Sequence, residues 1–449
     1  MPLISNPVGA GLHGQVQVPG DKSISHRAAM LAAFAQGRSH IRGWLQAADT
    51  QATLRACEQL GADVQWRGDD NNPLLQIVGC GGSLKTPAQV LDLGNAGTGV
   101  RLLLGLLAGQ SCTAELTGDA SLSQRPMGRI IKPLRQMGAR FADQYGSPID
   151  GRQECLLPLR SQGPADGSLH GIDYHMPMAS AQVQSALLFA GMQADGVTRL
   201  IQPGACRDHS ERMLQHFDAN IQRLDAASLQ IQRSSLQATD VLVPADISSA
   251  SFLLAAASLQ PGSDVRLPGI GVNPTRNGIL RVLQLMGARV QSDRPSENAE
   301  PVADLRVRAA SLQGVDIPRQ WVPNCIDEFP IIMAMAALAD GTTRVRGAAE
   351  LRVKESDRLA VMTTALRQLR VEVTEYDDGV DVSGLAASVD RLHGGKVDAC
   401  GDHRIAMSLA VLGMRATAPV VIAHAEEIAT SYPQFVTHMN QLGADLQWQ

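Results

Sequence analysis

Lysine is scarce in this chain. Of its 39 basic residues five are lysine, and one of these, Lys22, stands at the head of an apolar run in "VPGDKSISHRAAM" (18–30). Asp21, Ser23, Ser25, His26 and Arg27 surround it, and there the polarity stops. A solvated helix would spread its charge along one face, whereas this one gathers it at one end. Capping accounts for Asp21. It does not account for Lys22 and Arg27, or for His403 and Arg404 at the head of "CGDHRIAMSLAV", because cations at a helix N-terminus oppose its dipole. An anion held between them would resolve the conflict, so the first chemistry to expect is anion binding.

Other stretches carry chemistry less plainly. "PGDKSISHR" lacks the spacing of a Walker A loop, and "GNAGTG" (94–99) fails the order of a dinucleotide fingerprint. "GNAGTG" reads equally as a tight strand-to-helix turn or as a turn whose N–H groups approach a phosphate or carboxylate. "SQRPMGR" (123–129) sets Arg125 and Arg129 four apart with Pro126 at a first helical position, a pattern more often a solvated face. "CRDHSERM" (206–213) offers Asp208 as an N-cap with Glu211 at capping-box spacing, and Cys206 reads as a structural thiol rather than a nucleophile. In "LRVKESDRLA" (351–360), if helical, Lys354 and Arg358 share a face with Glu355 one position round. Paired charges on a solvated first turn are the ordinary meaning, but Lys354 is another of the five lysines. "CIDEFPII" (325–332) opens a buried helix with two carboxylates, and Asp327 is either its cap or a general base.

The elements that position these residues come from a repeat. "CEQLGADVQW" (57–66) recurs as "LRQMGARFAD" (134–143), "LQHFDANIQR" (214–223) and "LQLMGARVQS" (283–292), with weaker copies "LRQLRVEVTE" (366–375) and "MNQLGADLQW" (439–448). The copies lie roughly 70 to 80 residues apart, too far for a short solenoid. Each ends a helical pattern at Gly or a substitute and enters an alternating, strand-like segment. Upstream of each copy lies a helix that is apolar on all sides after a polar start: "GDKSISHRAAM", "LGNAGTGVRLLLG", "PMASAQVQSALL", "ADISSASFLLAA", "CIDEFPIIMAM" and "CGDHRIAMSLAV". Such helices are buried ones. Six α/β units of this kind must share cores, three and three, with the weak periodicity of residues 233–246 marking the boundary.

Composition bounds the rest. A chain of 449 residues, 44% hydrophobic and 18% charged, makes two or three soluble globular domains. A net charge of −5 suggests neither a nucleic-acid nor a membrane partner. Seven scattered cysteines without a C-x-x-C pair indicate neither a disulfide framework nor a zinc site, and imply a reducing cytosol. The N-terminal segment has no signal-peptide pattern, and no apolar run reaches membrane-spanning length.

Taken in order, "PGDKSISHR", "GNAGTG", "RPMGR", "MASAQVQSALL", "VNPTR", "IDEFP", "LRVKESDRL" and "GDHRIAMS" resemble the motif series of the 3-phosphoshikimate 1-carboxyvinyltransferase (5-enolpyruvylshikimate-3-phosphate synthase) family. The likeness runs from residue 19 to beyond 404. It implies a two-domain inside-out α/β barrel of six βαβαββ-type repeats, three per domain, with buried helices whose N-termini face the interdomain cleft. The implied domains are 20–238 and, together, 1–19 with 239–449. The implied reaction transfers the enolpyruvyl group of phosphoenolpyruvate to the 5-hydroxyl of 3-phosphoshikimate, releasing phosphate through a tetrahedral intermediate, in the cytoplasmic pathway to aromatic amino acids that glyphosate inhibits.

By the same resemblance, Lys22 touches both substrates. Ser23, Arg27, Ser180, Ala181, Gln182, Arg207, Asp327 and Lys354 receive 3-phosphoshikimate; Gly97, Arg125, Gln182, Arg358 and Arg404 receive phosphoenolpyruvate. Asp327 takes the hydroxyl proton and Glu355 is the acid–base at the vinyl carbon. The family needs no metal or organic cofactor, and the expected state is a monomer. Where some members carry a C-terminal lysine, this chain reads "IATSYPQF" (428–435). The sister transferase acting on UDP-N-acetylglucosamine shares the fold, but its cysteine-bearing loop is not matched by "GACRDHSERM". A non-catalytic binder of phosphorylated metabolites would use the same cations yet gain nothing from Asp327 and Glu355.

Overall fold

The computed structural model describes residues 1–69, 73–149, 155–204, 206–297, 299–386 and 392–449. Among them are twelve α-helices and six small mixed sheets. The chain divides into two compact units, Gly20–Val243 and Met1–Pro19 with Pro244–Gln449, each with its own apolar core.

In the Gly20–Val243 unit the helices are α1 (Lys22–Phe34), α2 (Ala48–Gln59), α3 (Gly97–Ala108), α4 (Gly128–Gln136), α5 (Ala181–Gly191) and α6 (His209–His216). Odd-numbered helices are the apolar ones. From Ile24 onward every residue of α1 is buried, and from Val183 onward every residue of α5. Their small residues permit close approach: a Cβ on Gly105 of α3 would lie 2.2 Å from the Ala186 carbonyl oxygen of α5. Each helix pair serves one sheet. Ala114–Thr117, for example, runs parallel to Leu91–Asp92 and antiparallel to Leu159–Pro164, which also pairs with Ala139–Asp143. Asp173–His175, Val197–Ile201, Ser228–Gln232 and Ile221–Arg223 repeat the plan. In the remaining sheet the first place is taken by Val241–Leu242, parallel to Arg38–Arg42. That pairing ties Val241 and Leu242 to the unit that runs from Gly20 to Val243.

The other unit follows the same plan with α7 (Ile247–Leu259), α8 (Gly278–Leu285), α9 (Phe329–Ala336), α10 (Arg358–Gln368), α11 (His403–Gly413) and α12 (Phe435–Leu442). All eight residues of α9 are buried, and all of α11 except Arg404. The N-terminal strand Leu3–Ser5 completes the last sheet, antiparallel to both Val420–Ala423 and Leu446–Trp448. His13–Gln15 opens another beside Asp264–Gly271. Thr342–Val345, Gly379–Ser383 and Glu372–Tyr376 form a three-stranded sheet, where isolated parallel bridges from Gln313 to Asp340 and from Asp316 to Arg344 stand in for the fourth strand.

The repeat shows most clearly in the backbone after each even-numbered helix. Gly61, Gly138, Gly287 and Gly443 have φ of 109°, 99°, 85° and 111° there. The two copies without glycine do the same, Asp218 at 61° and Arg370 at 67°. A left-handed residue with a Cβ costs roughly 1–2 kcal/mol, so the turn is imposed by the strand that must follow. Among the described residues no helix is long and apolar enough to cross a membrane.

Candidate active site

In the Gly20–Val243 unit the polar starts of α1, α3 and α5 are laced together by side chains. Asp21 caps α1, its carboxylate accepting from the Ile24 amide at 2.8 Å. Lys22 Nζ lies 2.5 Å from Asp49 Oδ2 on the first turn of α2. Arg27 is buried and reaches three neighbours. Its Nε donates to Ser210 Oγ at 2.7 Å, Nη2 to Ser185 Oγ at 2.8 Å, and Nη1 to the Ser23 carbonyl at 2.8 Å. Two hydroxyls and a carbonyl fix the direction of this guanidinium, a group whose fork geometry suits phosphate or carboxylate. Beside it, His26 is fully buried, with Nδ1 2.8 Å from Thr53 Oγ1. Burial first, then Lys22 and Arg27, hold its pKa well below the usual histidine range.

The head of α3 carries a second cationic group. Gly97 is its first residue, and a Cβ there would sit 3.1 Å from Arg125 Nη1 and 3.3 Å from Arg101 Nη1. Arg125 is steered by Asn95 Oδ1 at 2.7 Å and Ser121 Oγ at 3.1 Å. Arg101 donates to Gln182 Oε1 at 3.1 Å, and Gln182 donates to Thr98 Oγ1 at 3.3 Å, joining α5 to α3. The helix dipole and two guanidinium groups give this turn the charge that attracts an anion. Ser180 caps α5 through the Val183 amide at 3.4 Å; Ser23, Ala181 and Arg207 are half-buried.

Two local expectations fail here. Arg125 is extended (φ −85°, ψ 127°) and α4 starts only at Gly128, so Pro126 is not a first helical residue and Arg129 is simply exposed. Asp208 precedes α6 without a side-chain cap, its carboxylate going to Arg212 at 2.7 Å. Glu211 closes no capping box: buried, it accepts from Gln184 at 2.6 Å and pairs with Arg223. Burial pushes the Cys206 thiol up to about 11, so it stays protonated and structural.

In the other unit the acids and cations interleave. Asp327 lies in a 3-10 stretch broken at Cys325 (φ −135°), and α9 begins at Phe329 behind Glu328 with no side-chain cap. Asp327 is therefore not a helix cap. Its Oδ2 lies 3.4 Å from Arg276 Nη1, and its Oδ1 lies 3.5 Å from Arg358 Nη1 and 3.7 Å from Lys354 Nζ. The peptide around Lys354 is not one helix either. Ala349–Val353 is 3-10, Lys354 and Glu355 form a turn, and α10 starts at Arg358 behind its cap Asp357. Arg352 fastens that turn, pairing with Asp357 and Glu375, both at 2.8 Å. Glu355 Oε2 then lies 2.7 Å from Arg358 Nη2. Arg404 Nη1 donates to the Asp327 carbonyl at 3.1 Å and lies 3.6 Å from Glu328.

Five participants carried no assigned role in the sequence: Asp49, Arg101, Arg276, Glu328 and Asp402. Arg101 left the clearest signal, a lone charge inside "GVRLLLG". Arg276 stood in "VNPTR" without a task.

Comparison with known proteins bears on this geometry. A family model described as EPSP synthase (3-phosphoshikimate 1-carboxyvinyltransferase) matches residues 8–439. The 3-phosphoshikimate 1-carboxyvinyltransferase of Halorhodospira halophila is 49% identical over 97% of this chain and 95% of its own. That of Coxiella burnetii (Nine Mile phase I) is 46% identical over 97% and 96%. An EPSP synthase structure from Acinetobacter baumannii superposes with a TM-score of 0.86, at 40% identity over 99% of both chains. The enolpyruvyl transferase NikO from Streptomyces tendae, 18% identical with a TM-score of 0.77, shares the fold.

Proposed function

The chain belongs to the EPSP synthase (3-phosphoshikimate 1-carboxyvinyltransferase) family and carries that activity of the shikimate pathway; from this premise we propose how its polar clusters divide the reaction. Lys22, Gly97, Arg125, Gln182, Arg358 and Arg404 hold phosphoenolpyruvate. Lys22, Ser23, Arg27, Ser180, Ala181, Gln182, Arg207, Asp327 and Lys354 hold 3-phosphoshikimate. Each unit is an inside-out α/β barrel presenting the N-termini of its buried helices to these anions, in a monomeric cytoplasmic enzyme.

Glu355 gives a proton to the methylene carbon of phosphoenolpyruvate, and the adjacent carbon becomes electrophilic. The 5-hydroxyl oxygen of 3-phosphoshikimate bonds to that carbon as Asp327 accepts the hydroxyl proton. Glu355 then removes a proton from the new methyl group of the tetrahedral intermediate. The carbon–oxygen bond to phosphate breaks, the double bond re-forms, and inorganic phosphate leaves with the proton that Asp327 had taken. The guanidinium and ammonium groups meet charge that both substrates bring and that grows on the leaving phosphate.

One observation carries this reading: the Asp327 carboxylate stands within 3.4 to 3.7 Å of three cations, Arg276, Arg358 and Lys354. An anion binder has no use for it. The test is phosphate release on mixing the protein with both substrates. Release should require both together; none with both, or equal release from phosphoenolpyruvate alone, sinks the reading.

A further inference from the structure

We infer that Arg276 is a positioning residue for Asp327: it fixes the plane of that carboxylate and holds down its proton affinity. The inference rests on the reading of Asp327 as the acceptor of the hydroxyl proton.

Arg276 closes the "NPTR" loop between the strand Asp264–Gly271 and α8, and it is 3% exposed. The loop is stiff. Asn273 Oδ1 accepts from the Thr275 amide at 2.9 Å and from its hydroxyl at 2.8 Å, while Asn273 Nδ2 donates to the buried Glu300 at 2.9 Å. From this base the guanidinium forks. Nη2 donates to Ser248 Oγ at 2.6 Å on the first turn of α7; Nη1 lies 3.4 Å from Asp327 Oδ2 and 3.8 Å from Glu328 Oε1. Ser248 is itself pinned, its amide donating to Asp246 Oδ1 at 2.8 Å and its hydroxyl to the fully buried Glu328. A planar fork anchored on one tine orients whatever the other tine meets, which a flexible ammonium would not do.

The other charged groups facing Asp327 are differently committed. Lys354 is shared with Glu350 at 2.9 Å. Arg358 is bound to Asp402 and Glu355. Arg404 meets the Asp327 carbonyl rather than its carboxylate, and Glu328 adds a negative charge next door. In the proposed reaction Lys354, Arg358 and Arg404 also serve the substrates. Arg276, 3% exposed and tied to Ser248, is the cation beside Asp327 to which the proposed reaction gives no substrate.

Arg276→Ala removes a fixed positive charge about one hydrogen-bond length from the acceptor. Opposite charges at that range lower a carboxyl pKa by about 1–3 units, so the acid limb of the kcat profile should move up by about one unit. Loss of orientation should lower kcat by about 10- to 100-fold with KM for both substrates little changed. Added guanidinium chloride at millimolar concentration should restore part of kcat. A residue that merely supports the loop would move neither the pH profile nor respond to guanidinium, so a folded Arg276→Ala enzyme with an unmoved acid limb and no rescue overturns the inference. Should Arg276→Ala not fold, Arg276→Lys decides: it keeps the charge but not the fork, and a wild-type kcat there overturns the inference too. Asp327→Asn is run alongside. If that variant turns over normally, the reading of Asp327 itself has failed, independently of Arg276.

Discussion

The Arg358 guanidinium and the Asp402 carboxylate form an ion pair shut off from water, with Nε 2.8 Å from Oδ2 and side-chain exposures of 1% and 0%. Burial alone would lower the arginine's pKa; Asp402, then Glu355 and Asp327, outweigh it and raise the pKa above its usual value. The carboxylate also accepts from the Arg404 amide at 3.0 Å and Ser356 Oγ at 3.1 Å. One acid thus supports two arginines assigned to phosphoenolpyruvate.

Replacing Asp402 by Ala leaves the guanidinium buried without its fully buried carboxylate partner. Breaking one partner of a buried pair costs about 3–5 kcal/mol. Urea unfolding should register a loss of that order together with a raised KM for phosphoenolpyruvate. A loss below about 1 kcal/mol, the worth of a surface pair, would mean that water reaches the site.

Asp327→Asn and Lys22→Ala should damage different quantities. The first keeps shape and removes the proton acceptor, so turnover should fall by about 10² or more while calorimetry shows both substrates still bound. The second removes a cation shared by both anions and should weaken both affinities together. Near-normal turnover in Asp327→Asn would leave the hydroxyl proton to another group.

Gly97→Ala places a methyl 3.1 Å from Arg125 Nη1 and 3.3 Å from Arg101 Nη1. Contacts this tight require the guanidinium groups to shift by a few tenths of an ångström, which flexible side-chain ends can do. Phosphoenolpyruvate, the shorter anion, should lose little affinity. Glyphosate, slightly longer, should lose much more, because the same methyl takes space that glycine leaves open. Steady-state inhibition by glyphosate against varied phosphoenolpyruvate measures both. Equal losses would place the contact elsewhere.

His26 sets a pH dependence of stability. Its folded pKa is depressed, so below the unfolded value of about 6.5 the unfolded chain takes up a proton that the folded chain refuses. Stability should therefore be intact above that pH and decline as pH falls toward the folded pKa. Urea midpoints compared between pH 7.5 and 5.5 should show this slope, and His26→Gln, which keeps a hydrogen-bonding partner for Thr53, should reduce it. An unchanged slope in the variant would assign the effect to other groups.

Short-range information was legible before any coordinates. Six apolar runs could only be buried helices, and the sites after the amphipathic helices needed a left-handed residue, which Asp218 and Arg370 adopt even without glycine's freedom. Polar helix starts announced the anion chemistry, because a dipole opposed by cations is a conflict visible in one turn of sequence. Partnership was not legible. Arg276 finds Asp327 across 51 residues and Arg358 finds Asp402 across 44, while the strand Leu3–Ser5 completes a sheet with the far end of the chain. The Asp327 cap reading fails for the same reason, since the backbone break at Cys325 lies inside a buried loop that no propensity describes. Helix formation and capping are settled over four or five residues. Which acid neutralises which arginine is settled by desolvation and distance, and these exist only once the sheets have closed around their helices.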